Sequence, residues 1–287
     1  MYNFITGEKI QFSCELFIGN QSDFNFNSNV LQLHSKKCKA LNTIQSEFDN
    51  PKVVFCYSNL LKNKKVLIDK LTRLKNPFYL VFHNSDQNFN KSDTLLFKKL
   101  PLLQKIYCQN MNVHHSKVFP LPIGIANSQW SHGNLNNLND IYIKNVSKTE
   151  HIFFNFTINT NKKLRNECYQ KIKKKNIPWN NNLSHKEYLE TLKKYQYCIC
   201  PEGNGIDTHR FWECIYLDVI PICKKNILVE HYSQYFKIII LDDWDDLDIS
   251  QLTEEADFKH DKNNLTLTYL EDRIKGGEEI VFKTDSS

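Results

Sequence analysis

Continuous short apolar runs recur along this chain, separated by stretches whose apolar positions fall three and four residues apart. The first pattern reads as a strand buried on both faces, the second as an amphipathic helix. On this reading residues 52–57, 77–83, 105–108 and 117–121 are buried strands. Residues 60–74 and roughly 92–100 are the intervening helices, the second stopped by Pro101. The polar, Asn-rich stretch 133–148 breaks the pattern and is the best candidate for a domain boundary. The alternation then restarts with a strand at 152–156, helices at 162–175 and 184–194, and a strand at 195–200. A helix at 207–217, strands at 219–223 and 238–241 and a C-terminal helix at 265–275 follow. No internal repeat is visible.

Such alternation specifies an α/β fold, because parallel neighbours need crossover connections. We expect two Rossmann-like domains facing a cleft, residues 1–146 and 147–287, with the last helix free to pack back on the N-terminal one.

The segment from Cys198 to Cys223, CICPEGNGIDTHRFWECIYLDVIPIC, concentrates the chemistry. Pro201 stops the strand, and Gly203 and Gly205 make a turn whose backbone can approach a ligand closely. The following helix presents its N-terminus to that turn, where free N–H groups and the helix dipole favour anions. Arg210 can fork onto phosphate oxygens. Glu213, one turn on and on the same face, can accept from both hydroxyls of a ribose. The candidate site for a nucleoside diphosphate is Pro201, Glu202, Gly203, Asn204, Gly205, Asp207, His209, Arg210 and Glu213. The loop is neither GxGxxG nor a Walker loop. A glycine turn before a helix is also common, so the weight rests on the polar edge formed by Asp207, His209, Arg210 and Glu213 on an otherwise apolar helix.

Three other stretches carry candidate chemistry. His83-Asn84-Ser85-Asp86 follows a strand, and ligands in open α/β sheets bind beyond the carboxyl ends of strands. Asp86 is the preferred general base, with His83 in reserve because an imidazole titrates near neutral pH. Asn127, Trp130 and His132 are candidates for an acceptor pocket, since sugars stack on aromatic faces; ordinary turn and core roles suit them equally. Lys162, Lys163 and Arg165 open a helix, where the dipole disfavours cations. That mismatch points to an anionic partner and makes Arg165 a second phosphate ligand, a surface salt bridge being the alternative.

The run Asp242-Asp243-Trp244-Asp245-Asp246 contains Asp-x-Asp, a pattern able to chelate a divalent metal. Its place after the last strand reads instead as a solvent-facing helix cap, and no metal ligand is assigned.

The Cys198–Cys223 block resembles the signature of exostosin-like glycosyltransferases: a Gly-rich turn, an Arg-Phe-aromatic-Glu helix, then a strand with Ile-Pro. The short virus-encoded and microbial members are the most similar. PFYLVFHNSD, KVFPLPIGIANSQWSHGN, FFNFTINTNKKLRNEC and IIILDDWDDL extend the resemblance over roughly residues 75–250. Asp218 departs from the Gly usual between helix and strand, at a position that needs a left-handed backbone, which Asp tolerates.

The resemblance implies a GT-B arrangement and inverting, metal-independent transfer of a sugar from a nucleoside-diphosphate sugar, UDP by family habit, to a glycan or glycoprotein hydroxyl. No other cofactor is expected. The alternatives are a metal-dependent GT-A-like transferase using residues 242–246, and a non-catalytic sugar- or nucleotide-binding protein.

Bulk properties exclude some partners. The net charge of +5 comes from scattered lysines without a basic stripe interleaved with aromatics, which argues against nucleic acid. Nine cysteines show no zinc-ligand spacing and sit mostly in apolar runs, so we expect reduced thiols and a cytoplasmic enzyme, in host cytoplasm if virus-encoded. No secretory signal and no apolar window long enough to span a bilayer is expected.

Overall fold

The computed structural model describes residues 2–44, 50–253 and 258–282. Internal contacts divide the chain into two units: Asn3–Gly133 with Leu265–Val281, and Asn134–Asn264 with Tyr2 and Phe282.

The N-terminal unit begins with α1 (Gly7–Ser13), β1 (Leu16–Gly19), α2 (Gln21–Phe26), α3 (Ser28–Leu31) and β2 (Cys38–Ala40). It continues through β3 (Val53–Tyr57), α4 (Lys64–Leu71), β4 (Phe78–His83), β5 (Phe89–Asn90) and α5 (Lys91–Phe97). Its last strands are β6 (Leu103–Cys108), β7 (Met111–Asn112) and β8 (Val118–Pro120). Six strands form one parallel sheet in the order β2-β1-β3-β4-β6-β8, and β5 pairs with β7 in a small separate sheet. Every residue of β3 is buried, as the continuous apolar run requires.

The strand order reverses between β1 and β3, which opens a crevice beyond their carboxyl ends. A parallel six-stranded sheet with this connectivity is compatible with the Rossmann-like expectation. The strands β1 and β2 were not foreseen. One is four residues long and the other three, too short for periodicity to resolve, and β2 is a partly exposed edge.

The C-terminal unit runs α6 (Leu135–Tyr142), β9 (Glu150–Phe153), α7 (Lys162–Lys173), α8 (His185–Leu192) and β10 (Tyr195–Ile199). Next come α9 (His209–Tyr216), β11 (Ile220–Lys224), α10 (Ile227–Tyr232) and β12 (Ile239–Leu241). Its four strands are parallel in the order β12-β11-β10-β9. Ile152, Tyr197, Ile199, Ile220 and Ile222 from the sheet pack with Phe154, Phe156, Cys168, Ile172 and Trp244 in one core.

The helix α6 occupies part of the Asn-rich stretch read as an interruption. Asn134 caps it by accepting from the N–H groups of Asn136 and Asn137, while Leu138 and Ile141, three apart, are buried. Asp218 has φ of 59°, the left-handed conformation expected of it.

The last helix, α11 (Leu267–Gly276), groups with the N-terminal unit. The Leu267 N–H donates to the Asn3 carbonyl at 3.2 Å, and the Tyr107 hydroxyl donates to the Glu278 carbonyl at 2.7 Å. Gly277 ends the helix at φ 67°, where a side chain would also overlap the Tyr79 ring. All nine cysteines are free thiols, and all but Cys38 are buried. Among the described residues no helix is long and apolar enough to cross a membrane.

Candidate active site

The glycine loop leaves the carboxyl end of β10 and is pinned on two sides. From α7, Asn161 caps its own helix by accepting from the Leu164 N–H at 3.3 Å and donates through Nδ2 to the Gly203 carbonyl at 2.7 Å. From α9, the buried Asp207 accepts through Oδ1 from the Thr208 N–H and from the Trp212 indole, each at 2.9 Å. Thr208 caps α9 by accepting from the Phe211 N–H at 3.4 Å. Two helix N-termini therefore meet one loop. Neither Gly203 nor Gly205 has positive φ, so what Gly203 contributes is the missing side chain. A Cβ there would have the Arg165 Nη2 as its nearest neighbour, at 3.5 Å, which is ordinary contact.

Two guanidinium groups converge here. Arg165 is buried and donates to the Glu202 carbonyl and the Thr157 carbonyl, each at 2.9 Å. Burial first, and then the charge of Arg210, push its guanidinium down to about 10, still protonated at neutral pH. Arg210 lies 4.9 Å from the centre of the Tyr188 ring, and its Nη2 reaches the Asn155 Oδ1 at 3.5 Å. Neither arginine forms an ion pair with a carboxylate among the described residues; their partners are carbonyls, an amide and a ring face. Two adjacent, part-dehydrated cations therefore lie beside the loop, Arg210 also within the electrostatic reach of the Glu213 carboxylate.

Glu213 is buried and engaged by protein partners. Its carboxylate accepts from the Tyr188 hydroxyl at 2.8 Å and lies 3.2 Å from the His185 Nε2. Burial alone would raise this carboxyl; the hydrogen bond and charge of His185, with Arg210 and Tyr188, hold it below the ordinary range. Its oxygens are thus used to fix α8 against α9, which orients the Tyr188 ring under Arg210. Glu202 accepts from Asn226 at 2.8 Å and lines a pocket with Asp207, Thr208, Phe211 and Tyr232. Pro201 and Gly205 are buried, Asn204 is exposed and His209 is half-buried.

In the N-terminal unit, His83 ends β4 and is buried, with Nε2 3.1 Å from the Pro122 carbonyl and Nδ1 3.0 Å from the Asn84 Oδ1. Asn84, at φ 57°, accepts from Asn127 at 3.2 Å and donates to Gln11 at 2.9 Å. Glu8, also buried, accepts from the N–H and hydroxyl of Ser128 at 3.0 and 2.7 Å. Gly7 is needed because a side chain there would overlap Asn84 and His83. Asp86 stands exposed on the same loop. Trp130, 46% exposed, stacks with His132 and lies 5.5 Å from Phe26, itself 61% exposed.

The acidic run behaves as a cap. Asp243 accepts from the Asp245 N–H at 2.9 Å and from Lys171 at 2.6 Å, which together hold its carboxyl down to about 2.

Sequence reasoning missed Tyr188, His185 and Asn226 beside the loop, and Glu8 and Gln11 in the other unit. Their types carry no motif. What selects them is tertiary placement, and only Tyr188 and His185, three apart on one helix face, left a trace.

Residues 134–237 match the family model of the RXYLT1 C-terminal domain, a xylosyltransferase-related, exostosin-like family. No curated protein matches the chain. The matched region contains Arg165, the glycine loop, Arg210 and Glu213, and it supports a glycosyltransferase family.

Proposed function

We propose that this protein transfers a sugar from a nucleoside-diphosphate sugar, a UDP-sugar by preference, to a hydroxyl of a glycan or glycoprotein. The observation that supports this most is the pair Arg165 and Arg210, converging beside the loop at the carboxyl end of β10 with no hydrogen bond from either guanidinium to a carboxylate among the described residues. The diphosphate would lie against the N–H groups at the α9 terminus and those guanidiniums. As the bond to the anomeric carbon breaks, charge grows on the leaving diphosphate, and fixed donors stabilise it. A divalent metal does the same work elsewhere, so the proposed reaction is metal-independent.

The N-terminal unit would supply the acceptor site and the base, a GT-B division of labour. Asp86 is the better base, because its carboxylate is exposed whereas both nitrogens of His83 face protein partners. It would take the acceptor proton as the hydroxyl attacks, with inversion at the anomeric carbon. Trp130, His132 and Asn127 are proposed around the acceptor. The nine free thiols fit a reducing compartment, and we place the activity in the cytoplasm.

A thermal-shift screen of sugar nucleotides with and without EDTA tests the reading. A ligand at a hundredfold its Kd stabilises the fold by about 2.7 kcal/mol, and the shift should survive EDTA. A shift that appears only with manganese or magnesium would move the reaction to the carboxylates of residues 242–246.

A further inference from the structure

The C-terminal unit carries a second charged constellation at the other end of its sheet. Lys148 precedes β9, Lys193 precedes β10 and Asp218 precedes β11, whereas the glycine loop follows β10. Because these strands are parallel, the lysines gather at the amino ends and the loop at a carboxyl end. Together with Tyr142 and Lys262 they line a cavity of about 790 Å3, with Lys144 and Lys259 exposed on its rim. Among the described lining residues, five lysines face a single carboxylate.

The ammonium groups are held mainly by neutral acceptors. Lys148 donates to the carbonyls of Lys193 and Leu217 at 3.0 Å each, and Lys193 to that of Tyr142 at 2.8 Å. Lys262 donates to Asp218 and, at 3.4 Å, to the Tyr216 carbonyl, and it sits 5.4 Å from the centre of the Tyr142 ring. Burial lowers both Lys148 and Lys193 to about 8, against the opposing pull of Asp218. An ammonium has three donors, so Lys193 and Lys148 retain N–H groups beyond those bonds. Excess like charge in a recessed, part-dehydrated cavity raises the local concentration of counter-ions.

We infer that this cavity binds a compact oxyanion of the phosphate or sulfate class between Lys148, Lys193 and Lys262. The site is independent of the donor loop and holds whether or not the proposed transfer is correct.

Thermal-shift titration with sodium phosphate and sodium sulfate, against sodium chloride at matched ionic strength, tests it. The expected result is a saturable rise in Tm beyond the chloride control, kept in Arg210→Ala. Lys193→Met should raise the half-saturating concentration about tenfold or more, the loss of one charge-assisted contact. The exposed pair Lys144→Ala/Lys259→Ala, which disturbs no packing, should raise it more modestly. Glycerol phosphate in parallel tells a free from an esterified phosphate by its lower half-saturation. No rise beyond chloride, loss of the rise in Arg210→Ala, or full retention in both lysine variants overturns the inference.

Discussion

Gly203 separates a structural from a functional reading of the loop. A methyl there meets nothing in the protein nearer than 3.5 Å, and the backbone is outside the left-handed region. Gly203→Ala should therefore leave Tm within about 1 °C of wild type, while a methyl placed between the loop and Arg165 blocks a diphosphate. Thermal melts with and without sugar nucleotide check this; a variant that binds as wild type does would put the ligand elsewhere. The surroundings of these residues were unequally legible. Arg165 announced itself as a cation at a helix start, where the dipole opposes it. The engagement of Glu213 did not, because its partners Tyr188 and His185 come from another helix, and sequence spacing reports only on one helix at a time.

Elements were legible where they were long and buried. The runs that became β3 and β4 needed no tertiary information, since a parallel strand covered on both faces is nearly continuously apolar, whereas β6 was read only from Lys105 onward because Gln104 is exposed. Short edge strands and the capped α6 were not, because Asn serves turns and caps alike. The junction from α9 to β11 offers a test at this scale. His260 is buried there, with its Nε2 3.0 Å from the Val219 carbonyl and its N–H donating to Asp218 at 3.0 Å. Burial lowers its imidazole to about 4. The unfolded chain protonates near pH 6.5, so between pH 6.5 and 4 it binds more protons than the native state, and stability falls with pH across that window. The loss attributable to His260 saturates near pH 4 at about 3 kcal/mol. Denaturant unfolding at pH 7, 5 and 4 should show a shallower acid slope for His260→Gln; superimposable slopes would remove this histidine from the acid response.

At the scale of the whole molecule, the claim is a division of labour between two α/β units. Their class was legible from the alternation of strands and helices; internal contacts divide the chain at Gly133 and group α11 with the N-terminal unit. If Asp86 is the base, Asp86→Asn should lower turnover about 10²–10⁴-fold with a nearly constant donor Kd, because Asn keeps the hydrogen bonding and cannot take the proton. Steady-state kinetics beside calorimetric binding check this, and a variant retaining over about a tenth of wild-type turnover excludes the role.

The central claim is that Arg165, Arg210 and the glycine loop bind a nucleoside diphosphate without a metal. Calorimetric titration of UDP and GDP in EDTA, into wild type and Arg210→Ala, addresses it directly. The account expects saturable binding of at least one nucleotide by wild type, weakened in the variant by on the order of 1.5–3 kcal/mol, tenfold to over a hundredfold in Kd. Binding of neither nucleotide, or an affinity within about twofold of wild type in Arg210→Ala, would contradict it.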